Sequence, residues 1–558
     1  MLSFKNQIAL VKALLSNLQL IKVKPSLNWF LAKYMGKFKL INVGGQLILH
    51  SHLPSINSKA FNRFINEHLL GKKLGPSHAQ ISLTNVCPQN CKYCYNKNRN
   101  GELLNTDEIK HLIKNLKDMG VFWLGFTGGE PLLNKDLIEI VRNTGDDCAI
   151  KLFTSGMNLT EQLAIELKKA GLLYVSVSLD HWIEEEHDRI RGYKGAFQIA
   201  LKAIEIFKRV GIHVSVSAVI SKEMIKRDRV DEFLKFLIEL DIHEAWLSEV
   251  KPSGEDFWNE DSVITENERI GLLRLQDKYN KEGQITVNYL GHFEGREHFG
   301  CNAGNKMVYI DAFGEVSPCV FTPMTFGNIR DKSFQAIFYE MKEHFPSESN
   351  CFINKNYGLL KKYYKGQTPI SKEDTLEMMK EVSFSPMSEF SRLYYKQKNE
   401  GSIAVKLYRA FAFVSAVVFA IVGIIFLFFP DAALVFFNKW SDHFGLPRAP
   451  VQGNGFYLTL ASAYMYIVTL LAYKMYRYPE QRIYPFLLTQ AKLASSIMSI
   501  VLFLKHQPYL IYFANFLVDG FIGITAIVLM KTQKQEYDYA DENNESLHTG
   551  ISQKEKTE

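Results

Sequence analysis

Between residues 78 and 250, six short apolar runs alternate with amphipathic stretches, and this alternation limits the possible folds more than any other feature of the chain. The runs at 79–83, 121–126, 149–153, 174–179, 213–219 and 245–250 are too short for typical helices and are bounded by turn residues, so they read as buried strands. The stretches between them, such as 106–119, 161–170, 196–210 and 231–240, carry apolar residues at helical spacing. Repeated βα units on a right-handed path predict an α/β fold with a parallel sheet, curved into a full or partial barrel. In such folds the chemistry gathers on loops at the C-terminal ends of the strands.

The loop after the first run reads Cys87-Pro-Gln-Asn-Cys91-Lys-Tyr93-Cys94. Three thiolates in one short C-x3-C-x2-C loop are soft ligands suited to an iron–sulfur cluster. A cubane held by three cysteines leaves one iron open to a small molecule. A structural zinc site is the alternative, but such sites normally bring four ligands as two separated pairs. The chain has seven cysteines, an odd number, which argues against a secreted disulfide framework and for a reducing compartment. The N-terminus does not read as a signal peptide, because Lys5 and Lys12 interrupt its apolar stretch.

The later strands end in further motifs. The second runs into Gly128-Gly129-Glu130-Pro131, the third into Thr154-Ser155-Gly156, and the fourth into Ser176-Val-Ser178-Leu-Asp180, followed by His187-Asp188-Arg189-Ile-Arg191-Gly192. Glycines allow close backbone approach to a ligand, and the guanidinium fork of Arg191 suits a carboxylate. With the cysteine loop, this order of motifs resembles the radical SAM superfamily. The resemblance implies a partial (β/α)6 TIM-like barrel, a [4Fe–4S] cluster on Cys87, Cys91 and Cys94, and S-adenosylmethionine chelated at the open iron. It also implies cofactor contacts from Tyr93 (adenine), Gly128, Gly129, Glu130 and Pro131 (methionine amino group), Ser155, Ser178 and Asp180 (ribose or substrate) and Arg191 (carboxylate). Serine at 155 departs from the asparagine frequent there and weakens that match. Asp188 and Arg189 read as structural.

Downstream, Cys301 and Cys319 flank Gly314 in a C-x12-G-x4-C pattern, and Cys351 follows. The pattern resembles the auxiliary cluster domain called SPASM, or its shortened twitch form. It implies one auxiliary [4Fe–4S] cluster on Cys301, Cys319 and Cys351, with Gly314 in a hairpin turn and a fourth ligand not visible. Three unrelated buried cysteines are the alternative reading. Cys148, at the head of the third strand, reads as a core thiol.

Beyond residue 404 the composition changes. Four apolar segments, 410–429, 456–473, 484–504 and 509–530, are each long enough to cross a hydrocarbon core of about 30 Å at about 1.5 Å per residue. Flanking Arg392, Lys396, Lys398, Lys406, Arg409, Lys474, Arg477, Arg482, Lys531 and Lys534, against Lys439, Arg448 and Lys505 on the other side, predict cytoplasmic termini and a cytoplasmic catalytic domain. Lys492 and Asp519 fall inside the third and fourth spans, either as a stabilising pair or as a polar substrate site. At the other end, Phe4, Ile8, Val11, Leu15 and Leu18 share one helical face beside several lysines, facing either lipid headgroups or the catalytic domain.

The sequence therefore divides into a basic amphipathic region (1–76), a catalytic core (77–290), an auxiliary domain (291–365), a linker (366–403), an all-α four-helix transmembrane domain (404–531) and a polar tail (532–558). The modest net charge of +6 favours a bilayer over nucleic acid as the extended partner. The expected activity is reductive cleavage of S-adenosylmethionine to a 5′-deoxyadenosyl radical that abstracts hydrogen from a peptide or protein, with a flavodoxin or ferredoxin as electron donor. A membrane lipid or lipid-linked substrate is the alternative. A redox sensor or transport-coupled module is the alternative of another class.

Overall fold

The structure, a computed structural model, describes residues 17, 20, 22–73, 75–251, 263–293, 295, 297–399, 403–451, 455–478 and 483–530. It forms two compact units, Met1–Lys396 and Gln397–Glu558.

In the first unit a short antiparallel hairpin, β1 (Ile41–Val43) and β2 (Gln46–Ile48), precedes the main sheet. The six expected strands are β3 (His78–Ser82), β4 (Trp123–Thr127), β5 (Ala149–Thr154), β6 (Tyr174–Ser178), β7 (His213–Ile220) and β8 (Glu244–Glu249). They lie side by side in chain order and all are parallel. Three strands were not expected as part of this sheet. β9 (Thr286–Tyr289) adds to β8 at one edge, while β10 (Met307–Ile310) adds parallel to β3 at the other and carries β11 (Val316–Ser317) in an antiparallel hairpin. The nine-stranded sheet runs β11-β10-β3-β4-β5-β6-β7-β8-β9. Gly314 lies in the turn between β10 and β11, its N–H bonded to Asp311 O at 3.2 Å.

Alternation along the strands sorts the two faces. Ile81, Leu124, Ile150, Val175, Val214 and Ala245 join the helices in the main core. The helices start where the sequence supplies caps: Asn105 and Glu108 form a reciprocal capping box on Thr106–Asp118, and Thr160 caps Glu161–Ala170. The opposite face buries polar and aromatic groups, including Gln80, Lys151, Ser176, Ser215, Glu244 and Trp246. Lys151 Nζ donates to Ser51 Oγ at 2.7 Å and stands 3.6 Å from the Trp246 ring centroid. Burial pulls its pKa down to about 7.

Ser51 belongs to the N-terminal region, which is integral to the fold. Its N–H donates to Glu244 Oε2 at 2.7 Å and its carbonyl accepts from Trp123 Nε1 at 2.9 Å, while Leu53 O accepts from Tyr174 OH at 2.9 Å. Trp123, Tyr174 and Glu244 all head their strands, so residues 50–53 cover the N-terminal end of the sheet, opposite the cysteine loops. Helix Pro25–Met35 buries Leu27, Leu31 and Tyr34 in a second core with Phe293, Phe299 and Phe390. The amphipathic helix expected at 4–18 lies outside the described residues except for Asn17. The segment read as a linker at 366–403 holds helix Lys372–Met379, with Ile370, Met378 and Met379 in the main core.

In the second unit, helices span Ile403–Phe428, Gly455–Arg477 and Ile483–Lys505, with a fourth over Leu510–Met530. Among the described residues three stretches are long and apolar enough to cross a membrane: Lys406–Phe428, Ile483–Lys505 and Leu510–Met530. The remaining expected span falls on Gly455–Arg477. A further helix, Pro430–Ser441, starts with proline at its first turn and occupies the loop expected to be external. The polar tail lies outside the described residues.

Candidate active site

The cysteine loop leaves β3 at its C-terminal end, and two motifs clasp it. From the end of β4, Gly129 N donates to Thr84 O at 2.7 Å and Glu130 N to Val86 O at 2.8 Å. A Cβ on Gly129 would come within 2.2 Å of Val86 O, so only glycine fits. From the other side, Asn90 N donates to Arg191 O at 2.9 Å. Gly192 follows with φ +60, and a Cβ there would lie 2.7 Å from Asn90 O. The glycine motifs therefore hold the loop in shape. Glu130 is buried, with Oε1 accepting from Thr154 Oγ1 (2.6 Å) and Leu132 N (3.0 Å). Its Oε2 accepts from Ser155 N (2.7 Å) and Ser155 Oγ (2.5 Å), so the acid ties the ends of β4 and β5 together. Pro131 opens the short turn that follows.

Asp180 organises the opposite wall. Its Oδ2 accepts from Tyr93 OH at 2.5 Å and pairs with Arg191 Nε at 2.8 Å, and its Oδ1 accepts from Val219 N at 2.9 Å. Arg191 Nη1 lies 3.7 Å from Cys91 Sγ. Burial opposes the guanidinium charge, but Asp180, Tyr93 and Cys91 more than offset it and hold the pKa above its ordinary value. His187 Nδ1 accepts from Asp180 N at 3.2 Å. Burial pulls His187 down to about 4, which leaves that nitrogen free to accept. Asp188 accepts from Gly195 N and Phe197 N, and Arg189 pairs with Glu186, so both serve structure as expected.

Cys87, Cys91 and Cys94 are free thiols facing one cavity, together with Tyr93, Gly128, Gly129, Glu130, Ser155, Ser178 and Arg191. Cys301, Cys319 and Cys351, likewise in no disulfide bond, face the same cavity. Cys301 N donates to Glu348 O at 2.8 Å, Cys319 N to Thr322 Oγ1 at 3.1 Å, and Cys351 sits at the start of helix Phe352–Tyr363. Burial pushes Cys87 up to about 11 and Cys301 up to about 12, so metal would have to displace their protons. Among the described residues no three His, Cys, Asp or Glu side chains converge tightly enough for a single ion. Cys148 lies apart, buried, its Sγ 3.6 Å from Val121 O.

Two residues that sequence reasoning passed over also face the cavity. Lys251 Nζ stands 2.5 Å from Glu249 Oε1 and 3.4 Å from Cys351 Sγ. Glu249 ends β8 and Lys251 lies just past the sixth predicted strand, and the placement of chemistry at C-terminal strand ends was the signal that could have found them.

Comparison with known families agrees with this geometry. Residues 81–237 match the radical SAM superfamily, and residues 301–353 match SPASM, an iron–sulfur cluster-binding domain. An AdoMet-dependent heme synthase of Methanosarcina barkeri is 28% identical over 284 residues, 46% of this chain and 80% of that protein. A PqqA peptide cyclase of Bradyrhizobium diazoefficiens is 26% identical over 284 residues, 48% of this chain and 74% of that protein. The crystal structure of Streptococcus suis SuiB bound to precursor peptide SuiA superposes with a TM-score of 0.41 at 16% identity, covering 53% of this chain and 75% of that one. The chain thus carries a radical SAM domain, with its [4Fe–4S] cluster and S-adenosylmethionine, and a SPASM domain, which brings auxiliary iron–sulfur binding.

Proposed function

We propose that this radical SAM enzyme is anchored in a membrane by four C-terminal spans, with its catalytic domain and both termini cytoplasmic, and removes a hydrogen atom from an organic substrate held between its two cysteine sites. The observation that carries this reading is the single cavity faced by both cysteine triplets. Cys87, Cys91 and Cys94 would hold the first cluster, and Cys301, Cys319 and Cys351 an auxiliary one. When bound, the first cluster and S-adenosylmethionine supply a carbon-centred radical able to attack an unactivated C–H bond.

The chain's own residues bind and orient. Arg191, fixed by Asp180, presents a guanidinium beside Cys91 that would hold the carboxylate of S-adenosylmethionine. Ser178 and Ser155 edge the cofactor site, and Tyr93 closes it against Asp180. We read β3 to β8 as a partial (β/α)6 barrel that walls the cavity. A flavodoxin or ferredoxin would deliver the electron. For the substrate, the peptide cyclases among the relatives support a peptide or protein, and the apolar C-terminal helices support a membrane lipid or lipid-linked molecule.

Anaerobic reconstitution with iron and sulfide, followed by dithionite reduction with S-adenosylmethionine, tests the reading. Formation of 5′-deoxyadenosine is expected. Its absence from protein replete in iron would instead favour a redox sensor or transport-coupled module.

A further inference from the structure

One end of the cavity differs in character from the rest. Beyond the cysteine sites it is walled by Leu31, Tyr34, Phe293, Phe299, Phe390 and Tyr394, drawn from three separate segments. Their rings interlock: Tyr34 and Phe299 have centroids 4.7 Å apart, as do Phe299 and Phe390, and Phe293 lies 5.8 Å from Phe299. The wall joins directly to the auxiliary site, because Gly300 N donates to Phe293 O at 2.6 Å and Cys301 follows. Glu130, Arg191, Glu249 and Lys251 belong to the cysteine ends, and Lys306 lies 5.8 Å from the Tyr394 ring centroid. Two nearby histidines add no charge at neutral pH, since burial pulls His50 down to about 3 and His78 to about 4, and His52 lays its ring 5.2 Å from that of Phe293.

The helix that contributes Leu31 and Tyr34 turns another face outward. Trp29 is 74% exposed there, one turn from exposed Lys33. An exposed tryptophan beside a lysine is the pairing that settles at the headgroup level of a bilayer. The same chain carries three helices long and apolar enough to cross a membrane.

We propose that this aromatic lobe binds the hydrocarbon chain of a membrane lipid and brings one of its C–H bonds to the radical site. The proposal rests on the radical SAM reading and adds the substrate class. A hydrocarbon chain satisfies an apolar wall without leaving polar groups unpaired, whereas a peptide backbone entering it would have to find partners for each N–H and C=O.

The test uses the full chain in nanodiscs of phosphatidylcholine and phosphatidylglycerol that include a phospholipid with a diazirine in its acyl chain. After photolysis, labelled peptides are mapped by mass spectrometry. Label is expected on the lobe segments 28–35, 290–300 and 387–394 as well as on the membrane helices. Filling the lobe with Phe299→Trp should lower lobe label by about tenfold relative to label on 483–505, a fall equivalent to about 1.4 kcal/mol of affinity, and undiminished lobe label in that variant would also overturn the proposal. Label confined to the membrane helices in the wild type overturns the proposal and leaves a peptide as the occupant. The same preparation is assayed for 5′-deoxyadenosine. If that product forms without lobe label, the lipid proposal alone fails; if it does not form, the radical reading fails whatever the label shows.

Discussion

Arg99 and Asp311 form a fully buried ion pair, Nη1 to Oδ2 2.8 Å, that ties the segment after the cysteine loop to the end of β10. It joins the first cluster's surroundings to the auxiliary domain across more than two hundred residues of sequence. Asp311 Oδ1 also accepts from Phe313 N and Glu315 N, shaping the turn that leads to Cys319. Breaking a buried pair from one side strands a charge, so Arg99→Met should cost about 3–5 kcal/mol. Adding Asp311→Leu should recover part of it by removing the stranded charge, but not all, because the turn loses its acceptor. Thermal unfolding in detergent checks both variants, and equal losses in the two would leave the ion pair without a stabilising role.

The two cysteine sites should separate in metal content. Reconstituted wild type should hold about eight irons if each site takes a cubane, and the triple alanine variant at Cys87, Cys91 and Cys94 about four. Cys91→Ala should abolish 5′-deoxyadenosine formation. Cys301→Ala should preserve cofactor cleavage while stopping substrate conversion. Cys148→Ala should keep full iron and lose about 1 kcal/mol of packing. Iron lost with Cys148→Ala but kept with Cys351→Ala would overturn the ligand assignment.

Acid should weaken the N-terminal end of the sheet. Burial holds His50 at about 3 and His78 at about 4, against an ordinary 6.5. As pH falls from 6.5 towards 4, the unfolded chain takes up protons that the folded chain refuses. Stability therefore rises with pH across that window. The melting temperature should be lower at pH 5 than at pH 7, and His78→Gln should flatten the difference. An unchanged slope in that variant would assign the effect to other groups.

The sheet was largely legible because its signal is local. Each of β3 to β8 is a short apolar run with a helix after it, and the observed ends fall within two residues of those read from sequence. The cysteine and glycine motifs were legible for a similar reason, since each is contiguous and follows a strand. What sequence reasoning missed depends on distant partners. Ser51 has no visible purpose until Glu244, 193 positions away, accepts its N–H. The segment 290–300 lacks any period, and its phenylalanines acquire meaning only where helix Pro25–Met35 and Phe390 meet them. The polar face of the sheet was hidden because Gln80 and Lys151 stand within runs read as apolar and Glu244 falls just before the run read as the sixth strand.

Topology gives a prediction independent of the chemistry. With ten flanking Lys and Arg on one side against three on the other, the 430–455 loop should react with membrane-impermeant reagents in intact cells. The 474–484 loop should react only after permeabilisation. The reverse pattern would place the catalytic domain outside and leave it without a cytoplasmic electron donor.

Within the second unit, Lys492 Nζ lies 3.0 Å from Asp519 Oδ1, and both residues are buried. The pair is embedded: Lys492 Nζ stands 4.3 Å from the Phe419 ring centroid and 5.2 Å from that of Tyr464. A polar seam continues beside it, with Ser496 Oγ donating to Phe516 O at 2.7 Å and Asn515 Nδ2 to Ser499 Oγ at 2.8 Å. A charge buried among apolar helices needs its partner, so Lys492→Met alone should destabilise the protein by leaving Asp519 unpaired. If the pair serves only to join the helices, adding Asp519→Leu should restore both the melting temperature and substrate conversion, because two apolar side chains of similar size remove the stranded charge. If the double variant melts normally and still forms 5′-deoxyadenosine but no longer converts substrate, the pair belongs to a polar substrate site and not merely to the packing of the helices.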